Sequence, residues 1–141
     1  MRYFDTGVLL KLYLPEPRAA EAVAHVSASV PTITPLHELE MRSALRQKVG
    51  RGEITRSECE ALMADLDADL SSGVHLRATV VWADVFARAE SLSHTHGTIT
   101  LCRSLDTLHV ALALELGAAE FCTFDHRQCL MAAAAGLTVI S

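Results

Sequence analysis

The chain has 141 residues, 50% of them hydrophobic, and a formal net charge of −5 at pH 7. This length suits one compact domain that buries a core without disulfides, and the apolar content excludes a disordered chain. No apolar run reaches the roughly 18 residues of a membrane span. The acidic balance argues against a protein that holds nucleic acid by positive charge alone.

The first third of the chain alternates between short strand-like and helical patterns. Arg2–Phe4 is typical of a short buried strand and is followed by helical stretches that Pro15 and Pro17 interrupt. A helix is predicted over roughly Arg18–Ser29, and a second short strand over Val30–Thr34.

The middle of the chain carries two clear signals for the start of a helix. Pro35 suits the first helical position with Thr34 as its cap, and this helix is predicted to run to about Val49. Thr55-Arg56-Ser57-Glu58 is a capping box, so another helix begins there and runs to about Leu70. A third strand is predicted over Val74–Ala78.

The last third repeats the alternation. A helix is predicted over about Val80–Ser93, and His94–Thr100 is predicted to be a loop. The remaining predictions are a helix from Ser104 or Leu105 to Gly117, a strand over Glu120–Phe124, a helix capped by Asp125 and closed by Gly136, and a strand over Leu137–Ile140. Strands that alternate with helices in this way predict an α/β fold with a parallel sheet.

Four acidic residues stand out on this map. Asp5 and Asp125 each follow a predicted strand directly, and ligands of open parallel sheets bind at the carboxyl ends of strands. Asp106 lies in the first turn of a helix, and Glu40 lies about one and a half turns into another. We therefore expect all four carboxylates to reach the same edge of the sheet.

Such a cluster makes chemical sense only with a cation. Crowded carboxylates repel one another and raise each other's pKa values. Mg²⁺ prefers hard oxygen ligands, which carboxylates supply and which thiolates and imidazoles do not. One or two ions held in this way can activate a water and stabilise the leaving oxygen of a phosphodiester.

Each acid also has a purely structural interpretation. Asp5 suits a turn, Asp125 suits a helix N-cap, and Asp106 complements the dipole of its helix. Glu40 suits a solvated helix position, although its phase places it near the apolar face. Separately these signals are weak, and only their combination indicates a metal site.

Four motifs around these residues resemble the PIN-domain family, in the family's order. The first is Tyr3-Phe4-Asp5-Thr6-Gly7-Val8-Leu9, and the second joins Thr34-Pro35-Leu36 to Glu40 and Ser43-Ala44-Leu45-Arg46. The third is Ser104-Leu105-Asp106-Thr107-Leu108-His109-Val110-Ala111, where Thr107 replaces a small residue. The fourth is Cys122-Thr123-Phe124-Asp125; some relatives carry further acids where His126 and Arg127 follow here.

The resemblance implies a fold, a site and an activity. It implies a PIN-like α/β/α sandwich with a central parallel sheet, formed by residues 1–141 as one domain. Asp5, Glu40, Asp106 and Asp125 would be the catalytic, metal-binding acids for Mg²⁺ or Mn²⁺, and Thr6 and Thr123 would support them. The small bacterial members that the chain resembles are toxins of the VapBC toxin–antitoxin type, which are endoribonucleases.

The same resemblance implies partners. Toxins of this type cut structured RNA to leave a 5′-phosphate, are blocked by a cognate antitoxin and commonly form homodimers. The start of the chain does not look like a signal peptide, because an acid follows Tyr3-Phe4 at once, so we expect a cytoplasmic protein without membrane association.

Several other residues have two open interpretations. His109, three residues after Asp106, either packs in the core or orients an acid or RNA. The basic residues of the middle of the chain form either a solvated surface or a phosphate-contacting edge; they are Arg42, Arg46, Lys48, Arg51 and Arg56. Arg103 and Arg127 lie beside two of the acids and either pair with them or steer a backbone phosphate.

Two other functions compete with the nuclease. A non-catalytic PIN-like module would bind RNA or protein without cutting, but a passive RNA binder depends on many Lys and Arg contacts, which this acidic chain is poor in. A phosphatase of the haloacid-dehalogenase kind also begins with a strand and an aspartate, but it needs a second acid two residues later, where this chain has Gly7.

Overall fold

The computed structural model describes all 141 residues and contains seven helices and five short strands. In chain order these are β1 (Arg2–Phe4), α1 (Thr6–Leu10), α2 (Ala19–Ser27), β2 (Thr32–Ile33), α3 (Pro35–Gly50), α4 (Arg56–Ser72), β3 (Leu76–Arg77), α5 (Trp82–Thr100), α6 (Ser104–Glu115), β4 (Glu120–Cys122), α7 (His126–Ala134) and β5 (Thr138–Ile140). No helix combines the length and the apolar character needed to cross a bilayer.

The chain forms two compact units, which are described separately. The first comprises Met1–Val8 and Thr79–Ser141, and the second comprises Leu9–Ala78. The first unit contains a sheet of order β1-β4-β5, and the second contains the pair β2-β3. All three strand pairings are parallel, so the predicted α/β class with parallel pairing is confirmed.

The sheet of the first unit joins distant parts of the chain. β1 pairs with β4 so that Phe4 lies opposite Cys122, and both side chains are buried. The ring of Tyr3 stacks on that of Phe121 with centroids 5.4 Å apart. The last two residues of each strand are apolar and lie in the core, and the next residue after β1, Asp5, begins at the sheet's carboxyl edge.

The second unit has its own core and clear helix caps. Leu14, Leu45 and Cys59 form a buried cluster, and partly buried side chains of α3 and α4 pack around it. Thr55 and Glu58 form the predicted capping box at the start of α4. At the start of α3 the Thr34 N–H donates to Nδ1 of His37, at 3.1 Å.

The predicted loop over His94–Thr100 is wrong. These residues are the last two turns of α5, which ends at Thr100. Threonines weaken a helix when their hydroxyls compete for backbone groups, but here two of them bond to carbonyls of the same helix. Thr95 Oγ1 donates to Ser91 O at 2.9 Å, and Thr100 Oγ1 donates to His96 O at 3.1 Å.

Candidate functional site

Asp5 is a buried carboxylate held by two neutral donors. Its side chain lies at the start of α1, where Oδ1 accepts a hydrogen bond from the Val8 N–H at 2.7 Å. Oδ2 accepts a second hydrogen bond from the Thr123 hydroxyl at 2.6 Å. Asp5 is only 4% exposed, so this carboxylate depends on protein groups for its solvation.

Thr123 connects Asp5 to the second aspartate. Its Oγ1 donates to Asp5 and accepts from the N–H of Asp125, at 3.0 Å. Thr123 is fully buried, which fixes the orientation of its hydroxyl. The ends of β1 and β4 therefore bring Asp5 and Asp125 together through one shared hydroxyl, although the two strand ends are far apart in the chain.

Asp125 is linked in turn to Asp106. Oδ1 of Asp125 caps α7 by accepting from the N–H groups of Arg127 and Gln128, at 2.8 and 2.9 Å. The side-chain Nε2 of Gln128 donates to Oδ1 of Asp106 at 2.9 Å. A continuous set of hydrogen bonds thus runs from Asp5 through Thr123, Asp125 and Gln128 to Asp106, which we call the acid network.

All three acids of the acid network lie at the N-terminal ends of helices. Asp5 precedes α1, Asp106 is the third residue of α6, and Asp125 is the N-cap of α7. The unpaired N–H groups and the partial positive charge at a helix N-terminus favour a carboxylate there. Each aspartate is thus stabilised by its own helix, which explains how three acids can lie at the carboxyl edge of the sheet.

The electrostatics of the site show that Asp5 lacks a cationic side chain to neutralise it. Burial raises the pKa of Asp5, and the charge of Asp125 raises it further. Hydrogen bonds from Thr123 and Val8, and the nearby His109, lower the same pKa and offset part of this effect. No lysine or arginine is among the groups that influence Asp5, so the buried charge is poorly compensated.

Asp106 differs from Asp5 because it has a cationic neighbour. Nε of Arg103 lies 3.0 Å from Oδ2 of Asp106, and the arginine side chain is 74% exposed. Of the two open interpretations for Arg103, pairing with an acid is the one the structure shows. For Arg127 the structure shows only that its backbone N–H caps Asp125.

Thr6 and His109 form a second layer beside Asp5. His109 is 1% exposed, and its ring nitrogens contact the Tyr3 hydroxyl at 2.7 Å and the Thr6 hydroxyl at 3.2 Å. His109 is therefore a core residue, as in the first of the two interpretations, and its ring also contacts Thr6.

The structure describes Glu40 and the basic residues within the second unit. Glu40 lies on α3 and is half-buried. Arg42 pairs with Asp67 and Glu38, and Lys48 pairs with Glu16 and Glu53. Three of the five basic residues of this region, Arg42, Lys48 and Arg51, are thus engaged with acids, which favours the solvated-surface interpretation.

The acid network fits a hard divalent cation in its chemistry. It supplies carboxylate, hydroxyl and amide oxygens, with no thiolate, and these are the donors that Mg²⁺ prefers. Oε1 of Gln128, buried within the network, has no hydrogen-bond partner. No three His, Cys, Asp or Glu side chains lie close enough to form one complete ligand group. Mg²⁺ usually keeps several waters and binds one or two carboxylates, so the donor set suits it nonetheless.

Sequence reasoning missed Gln128. The residue is third in α7, after the N-cap Asp125, where a glutamine is expected to reach back to the cap. Instead its side chain bonds to Asp106, 22 residues earlier in the chain. Only the position of Gln128 in the first turn after an aspartate could have drawn attention to it.

Comparisons with known proteins identify the family and the fold. The model of the PIN domain family matches residues 2–134. The chain is similar to the crystal structure of FitAcB from Neisseria gonorrhoeae, with a TM-score of 0.72, 19% identity, and coverage of 100% of this chain and 97% of that one. No curated protein sequence matches.

Two further solved structures have the same fold. Mycobacterium tuberculosis VapC20, described as a toxin that cleaves the sarcin–ricin loop, has a TM-score of 0.69 and 20% identity, with 98% of this chain and 97% of that chain covered. FitAB bound to an IR36 DNA fragment also has a TM-score of 0.69, with 19% identity and coverage of 99% and 94%.

Proposed function

The chain belongs to the PIN-domain family, and from this premise we propose that it is a Mg²⁺- or Mn²⁺-dependent endoribonuclease, the toxin of a type II toxin–antitoxin pair. The observation that carries the proposal is the acid network, in which a buried aspartate without a cationic side-chain partner is joined by hydrogen bonds to two further aspartates. Such a set of oxygens gains stability when a divalent cation binds.

Each acid has a distinct task in this proposal. Asp5 and Asp125 would hold the cation, and Asp106 would complete its surroundings, in part through water. For Glu40 the same role stays a prediction from the family resemblance. The bound cation supplies a lowered pKa for a water molecule and neutralises charge on the phosphate. Thr123 keeps Asp5 and Asp125 in register, and Thr6 supports Asp5 from the side that His109 orients.

The proposed reaction is hydrolysis of an RNA phosphodiester. The oxygen of water bonds to phosphorus and the bond to the 3′ oxygen breaks, so the products are a 5′-phosphate and a 3′-hydroxyl. A proton of the attacking water passes to solvent or to one of the acids that no ion holds directly, and the leaving 3′ oxygen takes a proton from solvent. A histidine base is not needed, and the buried His109 is already committed to Tyr3 and Thr6.

Replacing Asp5 with asparagine tests the proposal directly. Asparagine at this position would keep the size of the side chain but remove its charge, so we expect cleavage of a structured RNA with Mg²⁺ to fall by more than about 100-fold. The same loss is expected when EDTA removes the metal from the wild type. Glu53→Gln, at an exposed acid paired with Arg51 and Lys48, is the matched control and should cleave normally.

The outcomes separate the proposed enzyme from a binding module. Cleavage that requires metal and Asp5 supports the enzyme. Undiminished cleavage by Asp5→Asn contradicts the site, and tight RNA binding without cleavage by the wild type supports a non-catalytic module. The net charge of −5 disfavours that module, because few cations are available to hold a phosphate backbone without help from metal.

The proposed partners are an antitoxin protein and a second copy of the chain. VapC20, which shares the fold, is described as a toxin, and this supports the toxin assignment. The antitoxin partner and the cytoplasmic location in the proposal come from the family resemblance. Co-expression with the product of a small neighbouring reading frame should suppress cleavage and shift the protein to a larger species in size-exclusion chromatography. Cleavage that is unaffected by every such product contradicts the toxin assignment.

A further inference from the structure

Gln128 binds two of the three aspartates at once. Its backbone N–H donates to Oδ1 of Asp125 at 2.9 Å, and its side-chain Nε2 donates to Oδ1 of Asp106 at 2.9 Å. The residue is only 4% exposed. One glutamine therefore fixes the start of α7 against the start of α6, and both contacts are to acids that the proposed function assigns to the cation.

The direction of the Gln128 amide follows from these contacts. A carboxylate only accepts hydrogen bonds, so the nitrogen of the amide must face Asp106; the reversed amide would place two oxygens against each other. Oε1 is then the free end of the same planar group. This atom is buried and lacks a hydrogen-bond partner, and the only other such side-chain atom in the chain is Nδ1 of His75.

The position of Oε1 is narrowly limited by covalent geometry. Oε1 and Nε2 share one carbon, with bonds of about 1.23 and 1.33 Å, so Oε1 lies no further than about 5.5 Å from the Asp106 oxygen that Nε2 contacts. At the upper end of this range one water molecule bridges the two oxygens, and at about 4 Å or less one Mg²⁺ contacts both directly. An oxygen without a donor in a buried site is unfavourable, and a cation or its bound water would offset that cost.

We propose, resting on the function proposed above, that Gln128 is part of the metal centre: its Nε2 positions Asp106, and its Oε1 is a neutral oxygen that contacts the bound divalent cation or a water of its shell. A neutral oxygen suits this place, because a fourth negative charge beside Asp5, Asp106 and Asp125 would increase their repulsion in the metal-free protein.

The proposal is tested by Mn²⁺ binding to the full chain, measured by isothermal titration calorimetry and by electron paramagnetic resonance of free Mn²⁺. Gln128→Met keeps the length of the side chain and removes both polar atoms, and we expect its dissociation constant for Mn²⁺ to rise at least about 10-fold. Its melting temperature without metal should change little, since removal of the unpartnered oxygen offsets the lost hydrogen bond to Asp106.

Two further variants make the result specific. Gln128→Glu retains an oxygen at the place of Oε1 but loses the donor to Asp106, so it should bind Mn²⁺ more tightly than Gln128→Met does. Gln47→Met, at the only other glutamine, which is exposed on α3, should bind like the wild type. Circular dichroism of each variant checks the fold, and Gln128→Leu, which also removes both polar atoms, takes the place of Gln128→Met if that variant does not fold.

The possible outcomes are distinguishable. If Gln128→Met binds Mn²⁺ like the wild type while Asp5→Asn does not bind it, the role of Gln128 is overturned and the proposed function is unaffected. The amide oxygen would then contact only a buried water. A loss of affinity in Gln128→Glu as large as in Gln128→Met also overturns it. If the wild type and Asp5→Asn bind Mn²⁺ equally, the proposed function fails and the role of Gln128 with it.

Discussion

One acid of each compact unit, Asp5 in the first and Glu53 in the second, has surroundings of the opposite kind. In the first unit Asp5 is buried among neutral donors, and its pKa is raised by burial. In the second unit Glu53 is exposed between Arg51 and Lys48, whose hydrogen bonds lower its pKa to about 2. The charge of Glu53 is balanced by side chains of the protein itself. The charge of Asp5 is not balanced by a lysine or arginine, which favours a bound metal cation beside it.

Both units also contain a buried hydrogen-bond network, and these networks differ in what they link. The acid network links aspartates to one another through Thr123 and Gln128. The network of the second unit joins the Tyr13 hydroxyl to Oδ2 of Asp69 at 2.6 Å and to Nε2 of His75 at 2.7 Å. In this second network the single acid, Asp69, accepts a short hydrogen bond from Tyr13, so the network needs no bound cation.

Among variants that distinguish the two networks, Thr123→Val is expected to have the largest effect on cleavage. This change removes the hydroxyl that contacts both Asp5 and Asp125. We expect RNA cleavage to fall about 10–100-fold, because the two acids lose their common support. The free energy of unfolding should fall by about 1–3 kcal/mol, since a buried carboxylate loses its donor. Initial cleavage rates and urea denaturation measure the two effects.

Thr95→Val is the matched control for that change. Thr95 is exposed on α5, and its hydroxyl bonds only to the Ser91 carbonyl. Both the cleavage rate and the stability should stay near the wild-type values, with a change in unfolding free energy within about 0.5 kcal/mol. A similar loss of cleavage activity in both variants would contradict a specific role for the Thr123 hydroxyl in the site.

The next effect is confined to stability and tests the network of the second unit. Tyr13→Phe removes the hydroxyl that donates to Asp69 and contacts Nε2 of His75, so the buried imidazole loses its closest hydrogen-bond partner. We expect a loss of about 1–3 kcal/mol in the free energy of unfolding, with unchanged cleavage per folded molecule. Reduced cleavage at full stability would contradict the division between a structural and a functional network.

The pH dependence of stability should have opposite signs for the two kinds of acid. The pKa of Asp5 is raised above its ordinary 3.8 in the folded state, so its ionisation costs stability as the pH rises through and beyond that value. Without metal, Asp5→Asn should therefore melt at a higher temperature than the wild type near neutral pH, and the difference should vanish toward pH 3. Thermal melts in EDTA across this pH range measure it.

Glu53→Gln gives the smallest change and the reverse sign. Its carboxylate adds stability above the ordinary pKa of 4.5, and this contribution is lost as the pH falls toward about 2. The variant should melt slightly below the wild type at neutral pH, by a small margin because the pair is exposed. If the melting temperatures of Asp5→Asn and Glu53→Gln shift in the same direction at neutral pH, the distinction between the two acids, on which the proposed site depends, is contradicted.

The strand ends and helix caps of this fold could be predicted from local sequence. Asp5 and Asp125 follow apolar strands, and the capping residues Thr34 and Thr55 mark the starts of α3 and α4 as predicted. The continuation of α5 through His94–Thr100 was not anticipated. A threonine near a helix end and a threonine in a loop are the same in the sequence, and only the structure shows that these hydroxyls bond to carbonyls of their own helix.

The site could be predicted only in part, for a similar physical reason. Strand order places Asp5 near Asp125, so their meeting through Thr123 is consistent with the sequence pattern. The contact of Gln128 with Asp106 depends on how α6 and α7 pack, and no periodicity in either helix encodes that distance. The assignment of the four acids as metal ligands stays a prediction, and the structure adds the hydrogen bonds that connect three of them.

The pairing of β1 with β4 also has a consequence for timing. Asp5 and Thr123 are 118 residues apart, and the hydrogen bond between them forms only when the two strands lie side by side. A ribosome must therefore make all of the intervening chain before the first aspartate can acquire its supporting hydroxyl. A polypeptide interrupted earlier carries the acidic side chain of Asp5 but not the arrangement proposed to cut RNA, which would protect the cell during synthesis.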